Sequence, residues 1–398
     1  MNVKQEIKNQ KNGDNESLYS SSPSPQAVWT LGFSLAALPL LAQAERIYGD
    51  LPQLTKQHCP PDLPSLSIIV PARNEEHNLR RLLPSLESQN YPGEMEIIVV
   101  DDHSNDGTAG MVKCGLRDSG YVVKLICAGE LPAGWLGKPH ASHIGAKEAR
   151  GNWLLFTDAD TEHEPFSAAS AVAFAEKYGL DGLSVFPRQE MRGFLDGAVL
   201  TVAFTGLFTG LRRSTTMLNG QYVLVRRDAY EASGGFAAVR SEMMEDLAYG
   251  RLLADQGYHA PIMRAESLVS VHMYDNWHQM WNGLTRLGSG SLRYNGPMAL
   301  IPAIFVTAVL MPLWTLLFNR YQLREIPSLK FIWFMTIMGL VPWEKRFYRK
   351  DKSESGLLNA MLGAILAPAA AIFIQGAALW GMLSRLVGRG VSWKNRRV

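Results

Sequence analysis

The sequence predicts an α/β domain on a parallel sheet, set between apolar segments of membrane length. Two observations carry this. Short β-branched runs alternate with helical periodicities between residues 64 and 294, and charge-free stretches long enough to cross a bilayer lie on both sides. The average composition hides both. The 398 residues are 47% hydrophobic and 19% charged, with a net charge of +2, and the mean hydropathy is −0.05. Those values exclude a disordered chain and a transporter made wholly of membrane helices. Near-neutral charge gives no concentrated Lys and Arg for nucleic acid, so none is expected as a partner. Cys59, Cys114 and Cys127 are odd in number and lack metal-ligand spacing, which fits a reducing compartment.

Residues 1–26 are polar and rich in Ser, Asn, Lys and Gln, and predict a disordered head. Ala27 to Ala44 follows without a charge and is stopped by Glu45 and Arg46, so 27–45 reads as a membrane anchor. Ala42-Gln43-Ala44 resembles a signal-peptide cleavage site, but the leader is too long and its charges balance.

The strand Leu66-Ser-Ile-Ile-Val-Pro71 opens the central domain, followed by a helix over Asn78 to Gln89 with Leu79, Leu82, Leu83 and Leu86 on one face. Glu96 to Asp101 and Lys124 to Cys127 are the next strands, His140 to Arg150 a helix, and Trp153 to Thr157 a fourth strand. Ligands of such sheets bind outside the carboxyl ends of the strands. Here those ends carry Arg73 with Glu75, Asp101 with Asp102, and Asp158 with Asp160.

Several rival chemistries fail on their spacing. The turn after the first strand, Pro71-Ala-Arg-Asn-Glu75, lacks a dinucleotide glycine fingerprint, and Pro132 and Pro139 break a phosphate-loop reading of the segment around Lys138. A calcium loop beginning at Asp102 needs a glutamate where Lys113 stands. His140 and His143 lack a third zinc ligand. Asp158-Ala159-Asp160 survives. Residues i and i+2 after a strand project to one side and offer two carboxylates to Mg²⁺ or Mn²⁺. Such ions keep ligand positions for phosphate oxygens, so a nucleotide-diphosphate substrate is expected, with Lys138 as a point charge for the diphosphate. Further on, Glu245-Asp246 begins a helix, where the dipole is expected to keep a general base ionised.

Taken together, Val70-Pro-Ala-Arg-Asn-Glu-Glu76, Val99-Val-Asp-Asp-His-Ser-Asn-Asp-Gly-Thr108, Thr157-Asp-Ala-Asp160 and Glu245-Asp246 resemble the glycosyltransferase family 2 enzymes of GT-A fold. Leu131 to Ala141, Asn219-Gly-Gln221, His272-Met-Tyr274 and Gly390 to Lys394 are similar to the membrane-bound branch with carotenoid and hopanoid-associated glycosyltransferases. The resemblance implies that Pro71, Arg73 and Glu75 line the nucleotide base pocket, that Asp102 contacts a uracil or equivalent base, and that Lys138 lies near the diphosphate. It implies metal at Asp160 with Asp158 helping to hold the metal or the sugar, and Asp246, beside Glu245, as the base taking the acceptor's proton. The implied reaction inverts the anomeric carbon, with a UDP-sugar the expected donor and a lipid the expected acceptor. Two departures matter. His143 replaces the usual Asn after Lys138, and Gln279-Met-Trp-Asn-Gly283 lacks the Gln-x-x-Arg-Trp of processive synthases, which favours single-sugar transfer. A polysaccharide synthase, a polyprenyl-phosphate glycosyltransferase and a catalytically silent membrane scaffold are the alternatives.

Gly193 to Leu211 is apolar apart from Asp196 and predicts a core helix, or one at the membrane surface admitting the acceptor. The region 298–384 carries two to three hydrophobic segments: Met298 to Phe318, the short Leu329 to Trp343, and Leu357 to Leu383 interrupted by Pro368. One basic flank is Lys345, Arg346, Arg349, Lys350 and Lys352. The other runs through the tail, 385–398, with Arg385, Arg389, Lys394, Arg396 and Arg397. Both belong on the cytoplasmic side, with the catalytic domain, in a multi-pass protein. A simple span between them would separate them, so Leu357 to Leu383 is expected to dip in and return, breaking at Pro368.

Overall fold

The computed structural model describes residues 24–115, 121–210, 217–318, 326–347, 355–387, 392–393 and 396–397. The expected disordered head, apart from its last three residues, and much of both basic flanks lie outside them.

The chain enters on helix α1 (Pro25–Asp50), then builds β1 (Leu66–Ala72), α2 (Glu76–Glu87), β2 (Met95–Asp101), α3 (Thr108–Gly115), β3 (Val122–Cys127), α4 (Gly137–Glu148), β4 (Trp153–Thr157) and β5 (Thr161–His163). Next come α5 (Ser167–Tyr178), β6 (Gly182–Phe186), β7 (Arg188–Gln189), α6 (Phe194–Thr209), β8 (Tyr222–Arg226), α7 (Arg227–Ala232), α8 (Gly235–Ala238), α9 (Glu245–Asp255), β9 (Ile262–Arg264) and β10 (Val269–Val271). Helices α10 (Trp277–Asn295), α11 (Leu300–Phe318), α12 (Ser328–Phe347) and α13 (Ser355–Leu386) follow, and β11 (Ser392–Trp393) pairs with β12 (Arg396–Arg397).

The main sheet has the order β3-β2-β1-β4-β8-β6-β9. Period-two alternation splits its strands between two cores: Leu66, Ile68 and Val70 with Trp153 and Leu155 on one face, Ile69 with Leu154 and Phe156 on the other. The expectation of an all-parallel sheet needs one correction. Strand β8 runs antiparallel to both β4 and β6. The chain leaves the sheet along α6 after β7 and re-enters from the opposite end, which sets Tyr222 beside Thr157. Asn219-Gly-Gln221 is thereby delivered to the carboxyl end of β4, next to Asp158. A second sheet, β5-β10-β7, buttresses that end: the His272 N–H donates to the Asp160 carbonyl at 2.9 Å.

Helix α6 is buried on nearly every side, as a core helix should be, but its core is shared with α1 and α10 through α13. Helix α13 runs unbroken through Pro368. The break expected there is absent because the preceding turn accommodates the ring within a continuous 32-residue helix. Among the described residues three helices are long and apolar enough to cross a membrane: Pro25–Asp50, Leu300–Phe318 and Leu357–Leu386.

Candidate active site

Two loops at the ends of β1 and β2 are laced together by side chains. The Asn74 N–H donates to Ser104 Oγ at 2.9 Å, the Asn105 N–H to Asn74 Oδ1 at 2.8 Å, and the Glu75 N–H to Thr108 Oγ1 at 2.8 Å. Asn74 and His103 adopt φ of 52° and 59°, a region costly for residues with a Cβ and characteristic of binding loops. This frame places the expected base-pocket residues together. Arg73 Nη1 donates to the Asp102 carbonyl at 2.6 Å, the buried Glu75 accepts from Asn78 Nδ2 at 2.8 Å, and the buried Asp102 carboxylate meets His103 Nδ1 at 3.2 Å.

The second group closes around Lys138, in the first turn of α4. Its Nζ stands 2.6 Å from Asp158 Oδ1 and 3.0 Å from Glu245 Oε1. Burial opposes the ammonium charge, but Asp158 first, then Glu245 and Asp246, outweigh it and hold Lys138 protonated. Asp246 is gripped by backbone donors: the Gly220 N–H reaches Oδ2 and the Leu247 N–H reaches Oδ1, both at 2.8 Å. A small cavity beside this second group is lined by Pro71, Lys138, Ser142, Asp158, Glu245 and Asp246, among others.

The expectation that the helix N-terminus keeps the base ionised needs a correction, because the two acids are shifted in opposite directions. Burial and then the neighbouring Glu245 charge push the Asp246 carboxyl up, despite its two N–H donors. Glu245 is held down: burial works the other way, but Lys138 foremost and then Arg286 outweigh it. One carboxyl of the pair is thus set to take up a proton more readily than the other, an arrangement suited to a base.

Asp158 and Asp160 are both half-buried at the β4 end. Among the described residues no group of three His, Cys, Asp or Glu side chains forms a protein-only metal cage. Two hard carboxylates two positions apart instead fit Mg²⁺ or Mn²⁺ that draws further ligands from water and substrate phosphate. His140 and His143, weighed and rejected as zinc ligands, pack against Trp135 with ring centroids 5.4 and 5.1 Å away.

Sequence reasoning missed two contributors. Arg286 of α10 acts electrostatically on Glu245 and Tyr274, and nothing in its neighbours Thr285 and Leu287 marks it. Gly220 was noted within a motif, but its role follows from space: a Cβ there would lie 3.0 Å from Lys138 Nζ and 3.1 Å from Asp246 Oδ2.

Residues 67–246 match the family model described as Glycosyl transferase family 2. A 4,4'-diaponeurosporenoate glycosyltransferase of Staphylococcus aureus strain MRSA252 is 29% identical over 245 residues, which take in 58% of this chain and 63% of the relative, less than two thirds of its length. The counterpart from strain USA300 is 27% identical over 283 residues, 67% of this chain and 73% of the relative. Among solved structures, a mannosyltransferase from Pyrobaculum calidifontis in complex with GDP-Man and Mn²⁺ superposes with a TM-score of 0.53 at 18% identity, covering 86% of this chain and 97% of that one. The likeness shows a shared GT-A fold.

Proposed function

From the premise that this chain carries a glycosyltransferase domain of family 2, we propose that it moves one sugar from a nucleotide-sugar donor to a lipid acceptor with inversion at the anomeric carbon. The observation that carries the reading is the convergence of Lys138, Asp158, Glu245 and Asp246 on one cavity, in a domain packed against helices of membrane length.

Pro71, Arg73 and Glu75 hold the nucleotide base, Asp102 contacts it, and UDP is the expected nucleotide. Lys138 neutralises diphosphate charge. Asp158 and Asp160 would hold Mg²⁺ or Mn²⁺, which supplies positive charge for the departing diphosphate. Asp246 accepts the proton of the acceptor hydroxyl as that oxygen attacks the anomeric carbon from the side opposite the leaving group. The S. aureus relatives are named for a carotenoid-type acid, which supports an isoprenoid-like acceptor. The helices hold the domain at the cytoplasmic face, where such an acceptor arrives from the bilayer. Incubating membranes with a panel of labelled nucleotide sugars and weighing the lipid extract tests this. One added hexose on a lipid is expected; a polymeric product, or label confined to protein, overturns it.

A further inference from the structure

The two basic flanks of α13 belong on one side of the membrane, yet the helix has the length and apolarity of a span and no break. Its neighbours resolve the conflict. Helices α1 and α12 run side by side in the same direction: Trp333 Nε1 donates to Ser34 Oγ at 2.9 Å, and eleven to thirteen residues later Arg346 grips Glu45 at 2.9 and 2.6 Å. The Arg346 end touches the catalytic domain, because Tyr48 packs on Phe186 of β6 with ring centroids 5.9 Å apart and bonds Glu266. Helix α11 starts at that same level, Pro302 lying against Gly210 at the end of α6. So α1 runs toward the domain, α11 away from it and α12 back.

Two close contacts of helix α13 with these helices lie in their domain-side halves. A Cβ on Gly363 would fall 2.6 Å from the Glu344 carboxylate of α12, and Gln375 Nε2 donates to Thr307 of α11 at 2.8 Å. At the same level Phe373 packs on Trp277 and Trp281 of α10, and a turn later Gly288 of α10 abuts Ala378 so closely that a Cβ would sit 2.5 Å from its Cα. Helix α10 is the one that carries Arg286 to the active site. Past the end of α13, β11 packs on α10 again. Meanwhile the far ends of the other helices stand bare: Trp314, Leu317 and Phe318 on α11, Phe331 and Phe334 on α12.

We infer that α13 does not cross the membrane but lies along the leaflet beneath the catalytic domain, with its apolar stripe in the lipid. Leu358, Ile365, Ile372, Leu379 and Leu386, seven residues apart, are 60%, 56%, 51%, 59% and 82% exposed, so the bare stripe runs the full length, roughly 48 Å at 1.5 Å per residue. The opposite face, with Ala360, Ala364, Ala367, Ala371 and Ala377, is buried against the protein. Lys345 before the helix and Arg385 in its last turn then meet anionic headgroups of one leaflet, and the protein has three spans, α1, α11 and α12.

This rests on the chain being a membrane protein, which carbonate extraction tests separately: release into the supernatant refutes membrane integration itself. Spin labels on single cysteines at 358, 365, 372 and 379, in a background with Cys59, Cys114 and Cys127 replaced by Ser, are compared for collision with oxygen and with a water-soluble nickel chelate in anionic vesicles. Equal, shallow depth at all four positions is expected. A depth maximum near the middle, with water access at both ends, overturns the inference. The wild-type chain with a C-terminal tag gives a second readout: in vesicles that expose the catalytic domain the tag is cleaved by added protease, whereas a protected tag also overturns the inference.

Discussion

Lys138 Nζ lies 2.6 Å from Asp158 Oδ1 and also reaches Glu245 Oε1, at 3.0 Å. It therefore balances both the strand-end acids and the helix-end acids. Lys138→Met leaves the incoming diphosphate without this charge, and a charge-assisted bond contributes about 1.5–3 kcal/mol. Titration calorimetry with UDP and Mn²⁺ is expected to show binding weaker by roughly ten- to a hundred-fold. Lys138→Arg, which keeps the charge, should recover part of the loss. An unchanged Kd in the Met variant would show that Lys138 serves only the protein's own acids.

Gly220 is wedged between Lys138 and Asp246. The added methyl of Gly220→Ala would lie 3.0 Å from Lys138 Nζ and 3.1 Å from Asp246 Oδ2, closer than ordinary van der Waals contact. Both neighbours are ends of side chains, so they can shift without unfolding the domain. The expected outcome is a fall in kcat with little change in Tm, measured on the same preparation. A drop in Tm with kcat retained would mean that the glycine serves the backbone and not the acids.

The legible parts of this protein were those written in local periodicity. Strands β1 to β4 were predicted to within two residues of their ends, because β1, β2 and β4 are bounded by polar residues and their apolar runs are buried on both faces, while the half-buried edge strand β3 is the one whose start was placed two residues late. The acids at the strand ends were legible for the same reason. Long-range geometry was not. Nothing local to Tyr222–Arg226 says that it runs antiparallel, since reversal depends on where α6 carries the chain. Nor could the sequence tell that Arg286, 41 positions beyond Glu245, would act on it. Pro368 misled because proline's cost depends on whether the turn before it can adjust, a matter of packing and not of residue type.

His163 links the acid side of the site to stability. It is buried, and its ring faces the Thr157 and Thr161 hydroxyls at 3.1 Å and Ser167 at 3.3 Å. Burial pushes its pKa down to about 3, from 6.5 when free. Between those values the unfolded chain binds a proton that the folded chain refuses, so stability falls as pH drops from about 6.5 toward 3 and is unaffected by this group above that window. Thermal unfolding followed from pH 7 to 4 should show Tm falling with acid. His163→Gln should make the slope shallower even if its Tm at pH 7 is lower. An identical slope in both proteins would assign the acid sensitivity to other groups.

Asp246 can act as a base only when ionised, and its carboxyl is pushed up by burial and by the Glu245 charge. The acid limb of kcat is therefore expected above the ordinary aspartate range, and it belongs to the Glu245–Asp246 pair jointly. Glu245→Gln removes the neighbouring charge and should move the limb to lower pH, a displacement that a purely structural Glu245 would not produce. Asp246→Asn keeps the shape and one acceptor oxygen, so one of the two backbone bonds from Gly220 and Leu247 is kept and the other lost, and it cannot take a proton. Loss of a general base costs about 10²–10⁴-fold in rate, so transfer should fall by that order while metal-dependent nucleotide binding stays near the wild-type value. Both are read on one preparation, by sugar transfer to extracted lipid and by calorimetry. Turnover at the wild-type rate in Asp246→Asn would end the assignment of Asp246 as the base, and loss of nucleotide binding together with turnover would move Asp246 from proton transfer to donor recognition.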